Sequence, residues 1–170
     1  MEESGDPGSY GEQPTHDPPA GSSSQGRGLS FTGEFRHTID AKGRLIVPSR
    51  LRDQLENDQV VLTPWPEGCI AMWSGEGWRD LESSLLEQRR SDPNQRKVVR
   101  TLAANAHQDS VDKQGRISVP GHLREFAGIE RDCIVIGALD HGEIWSPDRW
   151  QQLKAEAAGS LDELTKELNF

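Results

Sequence analysis

Residues 39–55 read IDAKGRLIVPSRLRDQL, and residues 111–127 read VDKQGRISVPGHLREFA. The second stretch lies 72 positions after the first, with no gap between them. Asp40 matches Asp112, Gly43 matches Gly115 and Arg44 matches Arg116. Val47-Pro48 and Leu51-Arg52 return as Val119-Pro120 and Leu123-Arg124. The same offset places Trp73 on Trp145, Ser74 on Ser146, Trp78 on Trp150 and Leu81 on Leu153. Matches that run this far beyond one motif identify the duplication of a whole folding unit.

Each copy has the same local logic. In Asp40-Ala41-Lys42-Gly43-Arg44 an Asp that can bond the backbone two residues on precedes a Gly that tolerates positive φ, which specifies a tight turn. Residues 31–39 before it alternate as a strand, with Gly33 as a bulge or bend, and Leu45-Ile46-Val47 leave it as a second strand. Pro48 then suits the first position of a short amphipathic helix over residues 48–55, with Leu51 and Leu55 on one face. Residues 59–63 and 69–73 read as strands, with Pro64, Pro66 and Gly68 in the loop between them. Ser74 is placed to cap a helix through Trp78, Leu81, Leu85 and Leu86. Residues 91–94 break that helix, and residues 95–106 continue it. The second half repeats the plan: strands over 106–111 and 117–119, a helix over 120–126, strands over 133–138 and 143–145, and a helix opened by Ser146-Pro147-Asp148. Leu161, Leu164 and Leu168 share one stripe of a terminal helix.

A chain of 170 residues has room for one domain or for two small, intimate halves. Residues 1–30 are rich in Gly, Ser and Pro, carry five acids and a single Arg, and contain almost no large apolar side chain. Such a segment buries too little surface to offset its chain entropy and reads as disordered; it has neither the basic start nor the apolar core of a signal peptide. No later stretch approaches the length of a membrane span. The net charge of −9 excludes a generally basic nucleic-acid coat protein, but the charge is uneven. Residues 36–52 carry Arg36, Lys42, Arg44, Arg50 and Arg52 against only Asp40. A local patch of this kind can bind phosphate whatever the net charge, because fields act within a Debye length. Cys69 and Cys133 read as buried thiols of a reducing cytoplasm, and no His/Cys spacing supports a metal. His107, Asp109 and Ser110 do not read as a catalytic set, since neighbouring side chains diverge along a strand.

The ordered set of two D-x-x-G-R turns, two Val-Pro-x-x-Leu-Arg helices and a Trp near the end of each repeat resembles the MraZ family, built from two AbrB-type (SpoVT-AbrB-like) units, over residues 29–150. The resemblance implies an α+β, mainly β fold in which two swapped-hairpin repeats form one pseudo-two-fold β-barrel with flanking helices. The expected division is a disordered tail (1–28), repeat one (29–75), connecting helices (76–104), repeat two (105–148) and a C-terminal helical segment (149–170).

The resemblance also implies a transcriptional regulator of the cell-division and cell-wall gene cluster, a repressor or activator in the cytoplasm and at the nucleoid. Its partners would be double-stranded DNA with repeated short boxes, and other copies of itself in a ring, an octamer or similar. No cofactor and no membrane are implied, and no enzyme activity. Carried over by motif, DNA contacts fall on Lys42, Gly43 and Arg44, with Lys113 and Arg116 in the second repeat, while Asp40 and Asp112 orient the arginines. The chemistry of the residues agrees: Arg presents a planar fork to guanine edges or phosphate, and Lys a mobile point charge. Arg36, Arg50 and Arg52 are candidate phosphate contacts or simply solvated. The second repeat is less basic, with His122 in place of Arg50 and Gln114 in place of Lys42, so unequal contributions are expected. The alternative is an AbrB-type interaction or assembly module without specific DNA binding. The four matched tryptophans read as packing residues, and Arg89, Arg90, Arg96, Lys97 and Arg100 as a solvated helix face.

Overall fold

The computed structural model describes residues 30–168; the expected disordered tail lies outside the described residues. The first repeat contains β1 (Glu34–Thr38), β2 (Arg44–Ile46), a one-turn α1 (Ser49–Arg52), β3 (Gln59–Trp65) and β4 (Cys69–Ser74). Helices α2 (Gly75–Ser91) and α3 (Pro93–Asn105) follow. The second contains β5 (His107–Ser110), β6 (Arg116–Ser118), α4 (Gly121–Ala127), β7 (Asp132–Gly137) and β8 (Gly142–Trp145), then α5 (Pro147–Ala157) and α6 (Ser160–Glu167). The helix starts are chemically specified. Ser74 accepts from the Gly77 N–H, Ser146 from that of Arg149, and Asp92 from that of Asn94 beside Pro93.

The repeats exchange strands. β1 of the first pairs with β7 of the second, and β5 of the second pairs with β3 of the first. The remaining contacts are β3 with β4, β7 with β8, and β4 with β8 across the pseudo-two-fold axis. The result is one antiparallel six-stranded sheet, ordered β1-β7-β8-β4-β3-β5. β2 and β6 form a separate two-stranded sheet, Leu45 opposite Ile117. Leu45 of this ribbon also forms an isolated bridge to Ile39, just beyond β1. The fold is therefore α+β with mainly antiparallel strands, as expected, but the hydrogen bonding of the described strands closes no barrel. Three paired residues are too short a ribbon to extend along both edges of the sheet.

One core fills the space between ribbon and sheet, drawn equally from both halves: Leu45 and Ile117, Val47 and Val119, Leu51 and Leu123, Leu62 and Val135, Met72 and Ile144. The other face of the sheet carries two satellite clusters. Trp73 packs with Val61 and Ala71 against Trp78 and Leu81 of α2, and Trp145 packs with Ile134 and Ile136 against Trp150 and Leu153 of α5. The matched tryptophans thus serve packing, and Trp73 also donates to the Thr63 hydroxyl at 3.1 Å.

Several expectations need correction. The offset of 72 fails in β3 and β7: Leu62 faces Met72 as Val135 faces Ile144, so these strands are equivalent at an offset of 73. A one-residue slip would turn every side chain to the opposite face, so the loops absorb it. In the first repeat Asn57 and Asp58 turn through positive φ before β3, whereas α4 runs longer and ends at left-handed Gly128. The helix expected over residues 48–55 shrinks to a single turn, with Pro48 at its cap. β1 is shorter than residues 31–39, although Phe31 and Ile39 both form isolated bridges. Pro64 lies inside β3 rather than in a loop. β5 pairs no further than Leu62, so beyond that point a residue without an N–H is tolerated on that side. The basic side chains of α2 and α3 are exposed as expected.

Candidate nucleic-acid interface

The two D-x-x-G-R turns lie at opposite ends of the β2–β6 ribbon and are built identically. Asp40 accepts from the Lys42 N–H, the Arg44 N–H and the Arg44 Nε at 2.9, 2.9 and 3.0 Å. Asp112 accepts from the Gln114 N–H, the Arg116 N–H and the Arg116 Nε, each at 2.9 Å. These bonds, the Arg backbone N–H first, hold both carboxyls below the ordinary Asp value. Each Arg is held through Nε alone; among the described residues no hydrogen bond uses its two Nη groups. Each Asp thus holds its Arg at Nε, on the inner side of the guanidinium fork.

Gly43 and Gly115 take φ of +77° and +82°, which other residues rarely adopt. Both are buried. The Gly43 carbonyl accepts from the Val119 N–H and the Gly115 carbonyl from the Val47 N–H, both at 2.8 Å. Arg124 packs behind Gly43, and Arg52 behind Gly115. Gly43 is thus buried, and its carbonyl locks the turn of one repeat to the strand of the other.

Alternation along the ribbon settles what faces outward. Leu45 and Ile117 point into the core at 0% and 1% exposure. The opposite face presents Arg44 beside Ser118 and Ile46 beside Arg116. Arg44 and Arg116 are diagonal neighbours, about 7–8 Å apart by ribbon geometry. Lys42 and Lys113 are exposed in the flanking turns. Arg44 and Arg116 thus share one face of the ribbon, with Lys42 and Lys113 in the turns at its two ends.

It does not gather the other three candidates there. Arg36 is exposed on β1, in the six-stranded sheet. Arg50 is exposed on α1, with its Nη1 beside Gly33. Arg52 pairs with Asp58 at 3.3 Å. Asp109 accepts from the Ser118 N–H at 2.7 Å and so supports the ribbon. Ile46 and Ser118 escaped the motif-based reading. The period-two alternation around Leu45 and Ile117 was the signal that could have found them.

Away from the ribbon, buried His141 stacks on Trp73 at 4.5 Å, bonds Asp140 through Nδ1 at 2.6 Å and lies 3.8 Å from Glu143. Burial disfavours its charge, but the two carboxylates outweigh burial and hold the imidazole above its ordinary value. Burial pushes the thiols of Cys69 and Cys133 up, the latter to about 12. Among the described residues no three His, Cys, Asp or Glu side chains gather as metal ligands, and no helix is long and apolar enough to cross a membrane.

Such an arrangement defines an internally duplicated α+β protein whose repeats exchange strands and whose matched turns meet in one basic ribbon. A family model described as "MraZ protein, putative antitoxin-like" matches the chain twice, over residues 30–101 and 102–169. The transcriptional regulator MraZ of Ligilactobacillus salivarius is 41% identical over 138 residues, covering 81% of this chain and 96% of its own length. That of Heliobacterium modesticaldum shows the same identity and coverage, and that of Lactobacillus helveticus is 39% identical over 139 residues. The chain belongs to the MraZ family.

Proposed function

We propose that this chain is a sequence-specific DNA-binding transcriptional regulator, not an enzyme, whose reading head is the outward face of the β2–β6 ribbon. The observation that carries the reading is the pair of Asp-oriented, half-buried arginines, Arg44 and Arg116, on the outward face of one ribbon in an acidic protein. A two-stranded ribbon fits the major groove, where an Arg fork matches the O6 and N7 edge of guanine. Lys42 and Lys113 flank it as phosphate contacts, and Asp40 and Asp112 act as positioning residues. The relatives named as transcriptional regulators support the same reading.

One ribbon makes few contacts, so useful affinity requires several copies. A ring-shaped homo-oligomer, an octamer or similar, would present the ribbon at regular intervals to repeated short boxes and raise the effective concentration of each contact. The targets would be promoters of the cell-division and cell-wall gene cluster, at the nucleoid. The exchange of strands between residues 29–75 and 105–148 supports a swapped-hairpin, barrel-like AbrB unit. The second reading, an assembly module without specific DNA binding, is favoured by one feature: Leu161, Leu164 and Leu168 lie exposed along α6 and its end.

Arg44→Ala separates the two. The variant should lose detectable binding to a duplex from upstream of its own gene cluster while keeping its fold and oligomer size. The parent's affinity should fall steeply with salt by counterion release. Equal binding by parent and variant, with the same salt slope, would hand the lead to the assembly reading.

A further inference from the structure

The ribbon's outward face holds one residue that neither phosphate contact nor core packing explains. Ile46 is 53% exposed, while its strand neighbour Leu45 is fully buried. It stands directly across from Arg116 and two residues from Arg44. An isolated exposed apolar side chain is ordinary on a protein surface; one set between two oriented guanidinium groups is placed where a base edge would lie. Resting on the DNA reading proposed above, we infer that Ile46 is a specificity-determining residue that packs on the 5-methyl group of a thymine.

The chemistry is specific to that base. In the major groove only thymine offers a methyl group, and apolar side chains contact it. Residues two apart on a strand are separated by about 6.8 Å, close to two base-pair steps. The thymine therefore lies within roughly two base pairs of the guanine read by Arg44. The second repeat has Ser118 at the matching position, and its hydroxyl adds no apolar contact. The turns differ in the same way, with Lys42 in the first matched by Gln114 in the second. The two ends of the ribbon are therefore chemically different, and the thymine contact belongs to the Ile46 end alone.

The test uses the full chain and a duplex from upstream of its own gene cluster, with each thymine replaced in turn by deoxyuridine, which lacks only the methyl. Binding is followed by fluorescence anisotropy. At one thymine per box the replacement should weaken the parent about fourfold, the worth of one buried methyl group. Ile46→Ser should bind the unmodified duplex more weakly by a similar factor and be indifferent to that replacement. Ile46→Val should keep part of the discrimination. The inference is overturned if no thymine shows an Ile46-dependent loss, or if Ile46→Ser changes oligomer size rather than base preference. If the parent does not bind the duplex, or Arg44→Ala binds equally well, the DNA reading itself fails and this inference with it.

Discussion

Leu45 and Leu62 offer a matched pair of substitutions. Both are fully buried in the same core, but Leu45 anchors the ribbon and Leu62 sits in β3 of the six-stranded sheet. Truncating either to Ala removes about three methylene equivalents, worth roughly 2.4 kcal/mol in transfer alone. The cavity left behind brings the expected loss to about 2–5 kcal/mol. A chain of this size holds roughly 5–15 kcal/mol in total, so each variant should remain folded at 20 °C with a clearly lowered urea midpoint. Their effects on DNA should diverge. Leu45 is the buried half of a strand whose outer residues are Arg44 and Ile46, and only three residue pairs hold that strand to β6. Losing the anchor should loosen the reading face and weaken operator binding at least tenfold, whereas Leu62→Ala, at similar cost in stability, should bind almost as the parent does. Urea denaturation followed by circular dichroism and anisotropy titration at 20 °C supply the two readouts. A Leu45→Ala variant that lost less than about 1 kcal/mol would show that the ribbon is not seated on the core. Equal binding losses in both variants would show that the ribbon has no special part in reading DNA.

Other perturbations probe the frame. A Cβ on Gly137 would stand 2.2 Å from the Thr32 nitrogen, whereas one on Gly159 meets nothing within 4 Å. Gly137→Ala should therefore destabilise strongly or fail to fold, while Gly159→Ala should be neutral or gain up to about 1 kcal/mol in the same denaturation assay. The folded value of His141 is raised, so its contribution is complete below the ordinary His value near 6.5 and disappears as pH rises through the raised one. The parent should lose stability across that window above pH 6.5, and His141→Gln should show a flatter profile in urea melts. Burial keeps Cys69 and Cys133 as thiols, so a thiol reagent at pH 8 should label the native chain far more slowly than the urea-unfolded chain; comparable rates would mean the sheet opens readily.

Much of this architecture was legible in the chain because it depends on local chemistry. An Asp two residues before a backbone N–H and a Gly at positive φ make the same turn wherever they stand, and here they make it twice, bond for bond. Ser74, Asp92 and Ser146 announce their helices for the same reason. The repeated order of these signals sufficed to identify the duplication and its family.

What the sequence left open depends on residues far apart in the chain. Nothing in residues 31–39 says that β1 pairs with β7 rather than with β2; the choice falls to the apolar surfaces that the two repeats together can enclose. The slip between β3 and β7 is invisible in an ungapped match, because burial in the shared core, and not local identity, selects which alternate side chains face inward. Four of the seven basic candidates came from the turn motif, and the other three stood only as candidate phosphate contacts. Tertiary structure separated them by placing Arg44 and Arg116 on one face of the ribbon with Lys42 and Lys113 in its end turns, pairing Arg52 with Asp58, and leaving Arg36 and Arg50 on other elements. A D-x-x-G-R turn is determined by its own few residues. Which faces of two turns meet, and so which side chains share one surface, is decided only when the two halves bury their core together.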